Sequence, residues 1–338
     1  MGSTIYYDDK LKLLRDIFGA ETIELGDHQV TVDGKVYPIL DDVIIALDPA
    51  QYPESIRQRL GMSVDDNPNE VSEFAKDIQK TFGAEWQKFR SVMSEHEEEF
   101  RQYFDVVDLE TLGEKRVCDL GCGMGRWSHF FQDKVRELVL VDFSDAIFVA
   151  RGNLKDATNA VFVMADVTRL PFRSDFADFA FSLGVLHHLP IDALQVVRTL
   201  SRFAPKLLIY LYSALDSRPG YHRILLRIVD GIRRVVSSID SPAFRSVFTW
   251  VAMFGLYYPM IGLGALMRPF GLSGRVPLYD FYHGKSMERI RQDVYDRFFT
   301  AIEQRFSRAE IMTLEDTFAR VLVSDQIPLW HFLCERSE

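Results

Sequence analysis

The stretch VCDLGCGMGRW, residues 117–127, sets three alternating glycines, Gly121, Gly123 and Gly125, behind a short apolar run that carries an aspartate. It reads as a strand, RVCDL, then a tight loop, then a helix, RWSHFFQDKV. Working outward, ELVLVD (137–142) is a second strand and SDAIFVARGNLK a helix with Ser144 or Asp145 at its N-cap. AVFVMAD (160–166) is a third strand, FADFAFSLGVL (176–186) a fourth and KLLIYLYS (206–213) a fifth, with a helix at 191–202 before the last. Strand and helix alternate, which argues for a parallel sheet with crossover helices.

The first strand of such a sheet delivers its loop to the carboxyl edge, where ligands bind. Glycines there let the backbone turn sharply and approach a ligand closely. A nicotinamide-binding loop follows Gly-x-Gly-x-x-Gly, but the position for its third glycine holds Arg126. Asp119, two residues before the first glycine, would repel a pyrophosphate. It suits a ligand that brings an ammonium or a sulfonium and no phosphate, such as S-adenosylmethionine. Asp142 closes the second strand, where a carboxylate can accept from ribose hydroxyls. Asp166, followed by Val167, closes the third, where a carboxylate can accept from an adenine amino group. Any one of these acids alone reads as a solvated strand end. Three in register at the ends of three successive strands point to a nucleoside site.

These stretches, with LVLVDFS, MADVTRLPF and FADFAFSLGVLHHLP, resemble the class I S-adenosylmethionine-dependent methyltransferases over about residues 115–212. The likeness is to the small-molecule branch that includes ubiquinone and menaquinone biosynthesis enzymes. It implies a Rossmann-like, doubly wound α/β fold with a mostly parallel seven-stranded sheet, and S-adenosyl-L-methionine as cofactor. By the resemblance, Asp119, Gly121, Cys122, Gly123, Asp142, Asp166 and Val167 contact the cofactor. Phe143 packs beside the ribose or adenine, and Leu183 with Gly184 lines the methionine side.

The flanks match more loosely. TVDGKVYPILDDVIIAL resembles the small β-unit in front of some such enzymes, related to the zinc-ribbon activator of tRNA and release-factor methyltransferases. Those relatives often hold zinc through four cysteines; this stretch has none, so no metal is expected. Asp33-Gly34 between alternating runs is a hairpin signal, since both central residues of a tight turn favour positive φ. TFGAEWQKF (81–89) resembles a segment common ahead of the glycine loop, which makes Trp86 a substrate-side candidate. The reading divides the chain into a β-unit (1–62), a helical linker (63–105), the cofactor core (106–212), a helical insertion or lid (213–276) and the rest of the core (277–338). The acidic run Glu95–Glu99 reads as a solvated helix face.

For the acceptor, His187 and His188 in GVLHHLP lie just after the fourth strand, beside the expected methyl group. Methyl transfer needs donor and acceptor held in near-attack geometry, and an oxygen acceptor gains from a base that works near neutral pH. PLYDFYHGKS (277–286) offers Tyr279, Asp280, Tyr282 and His283 as acceptor-pocket candidates. The Asn-Pro-Pro-Tyr type of motif that serves amino methylation in nucleic acid is absent. A small-molecule acceptor is expected, with oxygen first and sulfur or carbon behind. A cofactor-binding scaffold that activates another methyltransferase, and a membrane-surface enzyme for a prenylated quinone or lipid, are the alternatives.

The insertion is the least ordinary part. RILLRIVDGIRRVVSSI (223–239) is basic and amphipathic. Residues 246–267 carry no charge, long enough to span a bilayer, but Pro259 and three glycines are expected to break them into paired lid helices. A homodimer contact or a peripheral membrane contact would also use such a surface. The 338 residues have 47% hydrophobic and 26% charged content, which is ordinary globular composition. Three cysteines form no disulfide pattern, and the net charge of −10 argues against a general nucleic-acid-binding surface. The N-terminus shows no signal pattern, so a cytoplasmic protein is expected.

Overall fold

The computed structural model describes residues 4–62, 92, 95–216, 218–239, 241–325 and 330–337. They form two compact units, Met1–Ser213 with Gln304–Glu338, and Ala214–Glu303.

The first unit is built on one eleven-stranded sheet. Its strands are β1 (Ile23–Gly26), β2 (Gln29–Val32), β3 (Lys35–Leu40), β4 (Val43–Ile45), β5 (Arg116–Leu120), β6 (Glu137–Asp142), β7 (Ala160–Met164), β8 (Phe179–Leu183), β9 (Lys206–Leu211), β10 (Arg320–Val323) and β11 (Trp330–Glu335). The spatial order is β1-β2-β3-β4-β7-β6-β5-β8-β9-β11-β10. From β4 through β9 all neighbours are parallel; β11 runs antiparallel beside β9, and β10 beside β11. The five strands read from the sequence all form, and β5 to β7 are buried along their whole length except Glu137, as strands covered on both faces must be.

The sheet has eleven strands rather than seven because the N-terminal β-unit does not stand apart. β4 pairs in parallel with β7, Val43 opposite Phe162 and Ile45 opposite Met164, and β1 to β3 extend that edge as an antiparallel meander. The hairpin between β2 and β3 turns through Asp33 and Gly34, both at positive φ (47° and 81°). Tyr6 and Tyr7 fasten the segment. The Tyr6 hydroxyl donates to the carbonyls of Ala157 and Ala160 at 2.9 Å, and the Tyr7 hydroxyl donates to that of Asp42 at 2.7 Å. Buried Arg116 ties the helix Leu11–Phe18 to the core through Asp16 at 2.7 Å and Glu137 at 2.6 Å.

Two local expectations change. After the glycine loop the chain makes tight turns and a short 3-10 helix, Ser128–Phe130, not a long α-helix. Ser128 begins that turn and donates its hydroxyl to Asp119 at 2.7 Å, anchoring it to β5. The helix Glu95–Tyr103 is not a solvated acidic face throughout: His96 and Glu99 are buried with Phe100 and Tyr103, while Glu97 and Glu98 face solvent. The linker at 63–70 and the TFGAEWQKF segment lie outside the described residues.

The second unit is helical. Gly220–Val236, Pro242–Ala252, Tyr258–Met267 and Met287–Phe299 are its main helices. The last of these, grouped with the C-terminal core by sequence, packs here: Ile290, Val294, Phe298 and Phe299 share a cluster with Val236, Met253 and Tyr257. Pro259 does not break the chain. A π-turn over Met253–Tyr257 links the flanking helices, and the Tyr258 amide reaches back to Met253, so the backbone absorbs the missing proline N–H. The result is one helical rod, Pro242–Phe270, of 29 residues, long and apolar enough to cross a membrane by length and composition.

Candidate functional site

The strand order reverses between β5 and β8, the switch point at which doubly wound sheets bind ligands. The carboxyl ends of β5, β6, β7 and β8 deliver the glycine loop, Asp142, Asp166 and the two histidines to that edge.

The loop is held by the backbone of β6. The amides of Gly121 and Cys122 both donate to the Val141 carbonyl, at 2.8 and 2.9 Å. Gly121 has φ +81°, and a Cβ there would stand 2.5 Å from Val185 Cγ2, so only glycine fits. Gly125 is equally confined, by Leu154 at 2.7 Å. Asn153 donates to the Met124 carbonyl at 2.9 Å and ties the loop to the next helix.

Asp142 organises the centre. Its Oδ2 accepts from the Gly123 amide at 2.8 Å, and its Oδ1 accepts from the Ser144 amide at 2.8 Å and the Ser144 hydroxyl at 2.7 Å. A carboxylate offers about four lone-pair directions. Ser144 fills Oδ1, and the Phe143 amide adds a further backbone donor to the carboxylate. Burial raises the Asp142 pKa, and the hydrogen bonds from Ser144 and Gly123 oppose that rise. Asp119 is fully buried, and burial pushes its pKa up to about 8, against the lowering effect of the Ser128 hydroxyl. Near neutral pH this carboxyl holds its proton unless a cationic group comes to it. Asp166 caps its own turn: Oδ1 accepts from the Thr168 amide at 2.8 Å and hydroxyl at 2.7 Å, while Oδ2 accepts from Gln51 Nε2 at 3.2 Å.

Cys122 and Val167 are buried, and Phe143 and Leu183 half-buried, all on this edge. Burial raises the Cys122 thiol well above its ordinary value, so it serves as a small neutral wall. His187 and His188 lie in a short 3-10 turn after β8 and are buried. The His187 ring stacks on Tyr212 at 3.9 Å, and His188 meets the same ring edge-on at 5.6 Å. Gln304 clamps this turn: its amide donates to the His187 carbonyl at 2.8 Å, and its side chain donates to those of Leu189 and Ile191 at 2.7 Å.

The other candidates sit in the helical unit or beyond the described residues. Tyr279 packs where Gly264 leaves room, since a Cβ on that glycine would lie 2.1 Å from its ring. Tyr282 packs edge-on against Tyr257 at 5.1 Å. Asp280 is exposed and pairs with Arg218 at 3.4 Å, and exposed His283 lies 4.9 Å from Tyr279 between ring centres. Trp86 lies outside the described residues.

Sequence reasoning missed Gln51, Gln304, Ser128 and Ser55. Ser55 donates to Asp145 at 2.7 Å and lines an open cleft of about 480 Å³ with Arg59, Phe148 and Asn153. Gln51 and Asp166 are 115 positions apart, a separation that no local pattern encodes. Ser144 alone had a local signal, standing two residues after a strand-end aspartate.

Residues 117–205 match the methyltransferase domain family, about a quarter of the chain. The matched segment runs from β5 to the turn before β9. No curated protein matches the chain. Among solved structures, it is similar to phosphoethanolamine N-methyltransferase 1 of Haemonchus contortus in complex with phosphoethanolamine and S-adenosylhomocysteine. Identity there is 16%, over 42% of this chain and 33% of that one, with a TM-score of 0.36. It is also similar to an S-adenosylmethionine-dependent methyltransferase from Mesorhizobium loti, at 23% identity, 36% and 56% coverage and a TM-score of 0.31. The pyocyanin biosynthetic protein PhzM gives 12% identity, 70% and 54% coverage and a TM-score of 0.40. In each case the chain spans less than two thirds of the matched protein.

Proposed function

We propose that this chain is a methyltransferase that binds S-adenosylmethionine at the carboxyl edge of its sheet and methylates a small-molecule acceptor, with oxygen as the favoured atom. The observation that carries the reading is the set of three carboxyls, Asp119, Asp142 and Asp166, at the ends of β5, β6 and β7 around a glycine loop. The cofactor supplies a methyl group made electrophilic by a sulfonium. Asp142 accepts from a ribose hydroxyl, and Phe143 packs beside it. Asp166 accepts from the adenine amino group. Asp119 ionises to meet the cationic methionine end, so binding releases a proton near neutral pH. The loop and these acids hold the donor in line, which is the larger part of catalysis for a displacement of this kind. His187 and His188, fixed by Tyr212 and Gln304, are the groups that would take a proton from an oxygen acceptor.

Titration calorimetry tests the reading. S-adenosylmethionine should bind the wild-type chain, and NAD should not. Asp142→Ala should weaken binding by about 1.5–3 kcal/mol, the scale of a hydrogen bond to a charged group. A wild-type chain that binds no S-adenosylmethionine overturns the proposal. A labelled-methyl screen against a fractionated metabolite extract then identifies the acceptor.

A further inference from the structure

The helical unit breaks the ordinary rule of burial. On Gly220–Val236 the row Ile224, Ile228, Ile232 and Val235 is 42–66% exposed, while the opposite side, with Val229, Arg233 and Val236, turns inward. Arg233 is buried there and donates to the carbonyls of Thr300 and Ala301 at 2.8 and 2.9 Å. An apolar row is thus left exposed although the inward side is apolar as well, with Leu225, Leu226, Val229 and Val236. Arg223, Arg227 and Arg234 are exposed and each stands one position before an exposed apolar residue. At about 100° per residue, a basic row therefore borders the apolar row.

The rod Pro242–Phe270 repeats the pattern. Only 17% of its most apolar window is buried. Val247, Val251, Phe254, Leu266 and Phe270 are 54–73% exposed. Trp250, Phe254 and Tyr258 stack along it at 5.8 and 5.4 Å. The rod's inner side packs on Met287–Phe299, with Phe248 against Phe298 at 5.1 Å. Charge completes the picture. Residues 214–303 hold eleven arginines and one lysine against six aspartates and two glutamates, a net +4 in a chain of −10.

We infer that the outer faces of these two helices form a docking surface for an anionic lipid bilayer, lying in its interfacial plane. Apolar residues such as Ile224, Ile228, Phe254 and Phe270 enter the acyl boundary, and arginines meet the headgroups. A span is disfavoured, because crossing would carry the Arg289–Asp293 pair of the packed helix, and Arg297 with its partner Glu303, toward hydrocarbon. A self-complementary subunit contact is the competing occupant, and light scattering separates it from a lipid surface.

The test uses the full chain with vesicles of phosphatidylglycerol and phosphatidylcholine in equal parts, against phosphatidylcholine alone. Sedimentation should show binding to the anionic vesicles, weakened by salt. Arg223→Ala and Arg227→Ala should each lower partitioning about fivefold, equivalent to about 1 kcal/mol. Ile228→Glu should abolish it while leaving S-adenosylmethionine affinity unchanged, which also shows that the variant is folded and keeps this inference separate from the reading of the sheet edge. No binding to anionic vesicles, or binding that these substitutions leave intact, overturns the inference. So does light scattering that finds a dimer in the wild type and a monomer in Ile228→Glu.

Discussion

At the carboxyl edge of the sheet, acids are buried and supplied with donors; on the outer faces of the helical unit, apolar side chains stand in water. Asp142 takes three hydrogen bonds at an edge where Asp119 is wholly enclosed. Ile224 and Ile228 are more than half exposed on a helix that hides Arg233. Each arrangement costs free energy by itself. A buried carboxyl without a counter-charge shifts its pKa and stays neutral, and exposed apolar surface gains nothing from folding. The two costs imply different complements: a cationic ligand at the edge, an apolar and anionic surface at the helices.

The sharpest way to break the comparison is at glycine. Gly121 has positive φ and no room for a Cβ beside Val185, whereas Gly262 lies in the apolar rod with nothing within 4 Å. Gly121→Ala combines left-handed strain with overpacking and should cost about 2–5 kcal/mol of stability, along with cofactor binding. Gly262→Ala should instead stabilise, by at most about 1 kcal/mol, because alanine is the better helix former. Denaturant midpoints at unchanged slope measure both. Equal effects at the two sites would mean that the loop is not the rigid cradle described.

Asp119 supplies the next test. Its folded pKa, about 8, lies above the ordinary carboxylate value. Between those values the native state holds a proton that the unfolded chain has lost. Stability is therefore greatest below the unfolded pKa and falls as pH rises toward 8, by up to about 1.4 kcal/mol per pH unit. Asp142 is shifted in the same direction and couples to Asp119, so the slope belongs to the pair. Asp119→Asn should flatten the slope and raise the melting temperature of the free protein at pH 7. A parallel slope in the variant would assign the effect elsewhere.

The same contrast explains what the sequence discloses. Positions with a local requirement are legible: Asp33-Gly34 needs positive φ at both residues, and β5 to β9 announce themselves as apolar runs, the first three with an acid at or near their carboxyl ends. DDVIIAL carries a further signal. Val43, Ile44 and Ile45 are consecutive apolar residues, the mark of a strand buried on both faces, and β4 does lie inside the sheet beside β7. Partners such as Gln51 and Asp166 join elements far apart in the chain, and no periodicity foretells them. In the helical unit, periodicity locates an apolar stripe but not the side of the helix that is covered. On Gly220–Val236 the inward side is taken by Leu225, Leu226, Val229 and Val236 with Arg233, which leaves the isoleucine row outside. Pro259 misled in the same way, since a π-turn carries the helix past it.

The smallest expected effect is the most discriminating for the helical unit. Ile228→Ser removes an isoleucine from the middle of an apolar row, and by pattern alone it would count as damage to a core. Ile228 is 57% exposed, so little burial is lost, and serine costs only a few tenths of a kcal/mol in helix propensity. Stability in solution should stay within about 0.5 kcal/mol of wild type. The urea midpoint of the purified protein checks this, at two protein concentrations. A loss well above that size at both concentrations would place Ile228 in a packed interior and remove the exposed face. A loss present only at the higher concentration would tie the row to self-association, because a contact between copies contributes stability in proportion to the logarithm of protein concentration. A midpoint that does not move leaves a row of isoleucines that folding does not require.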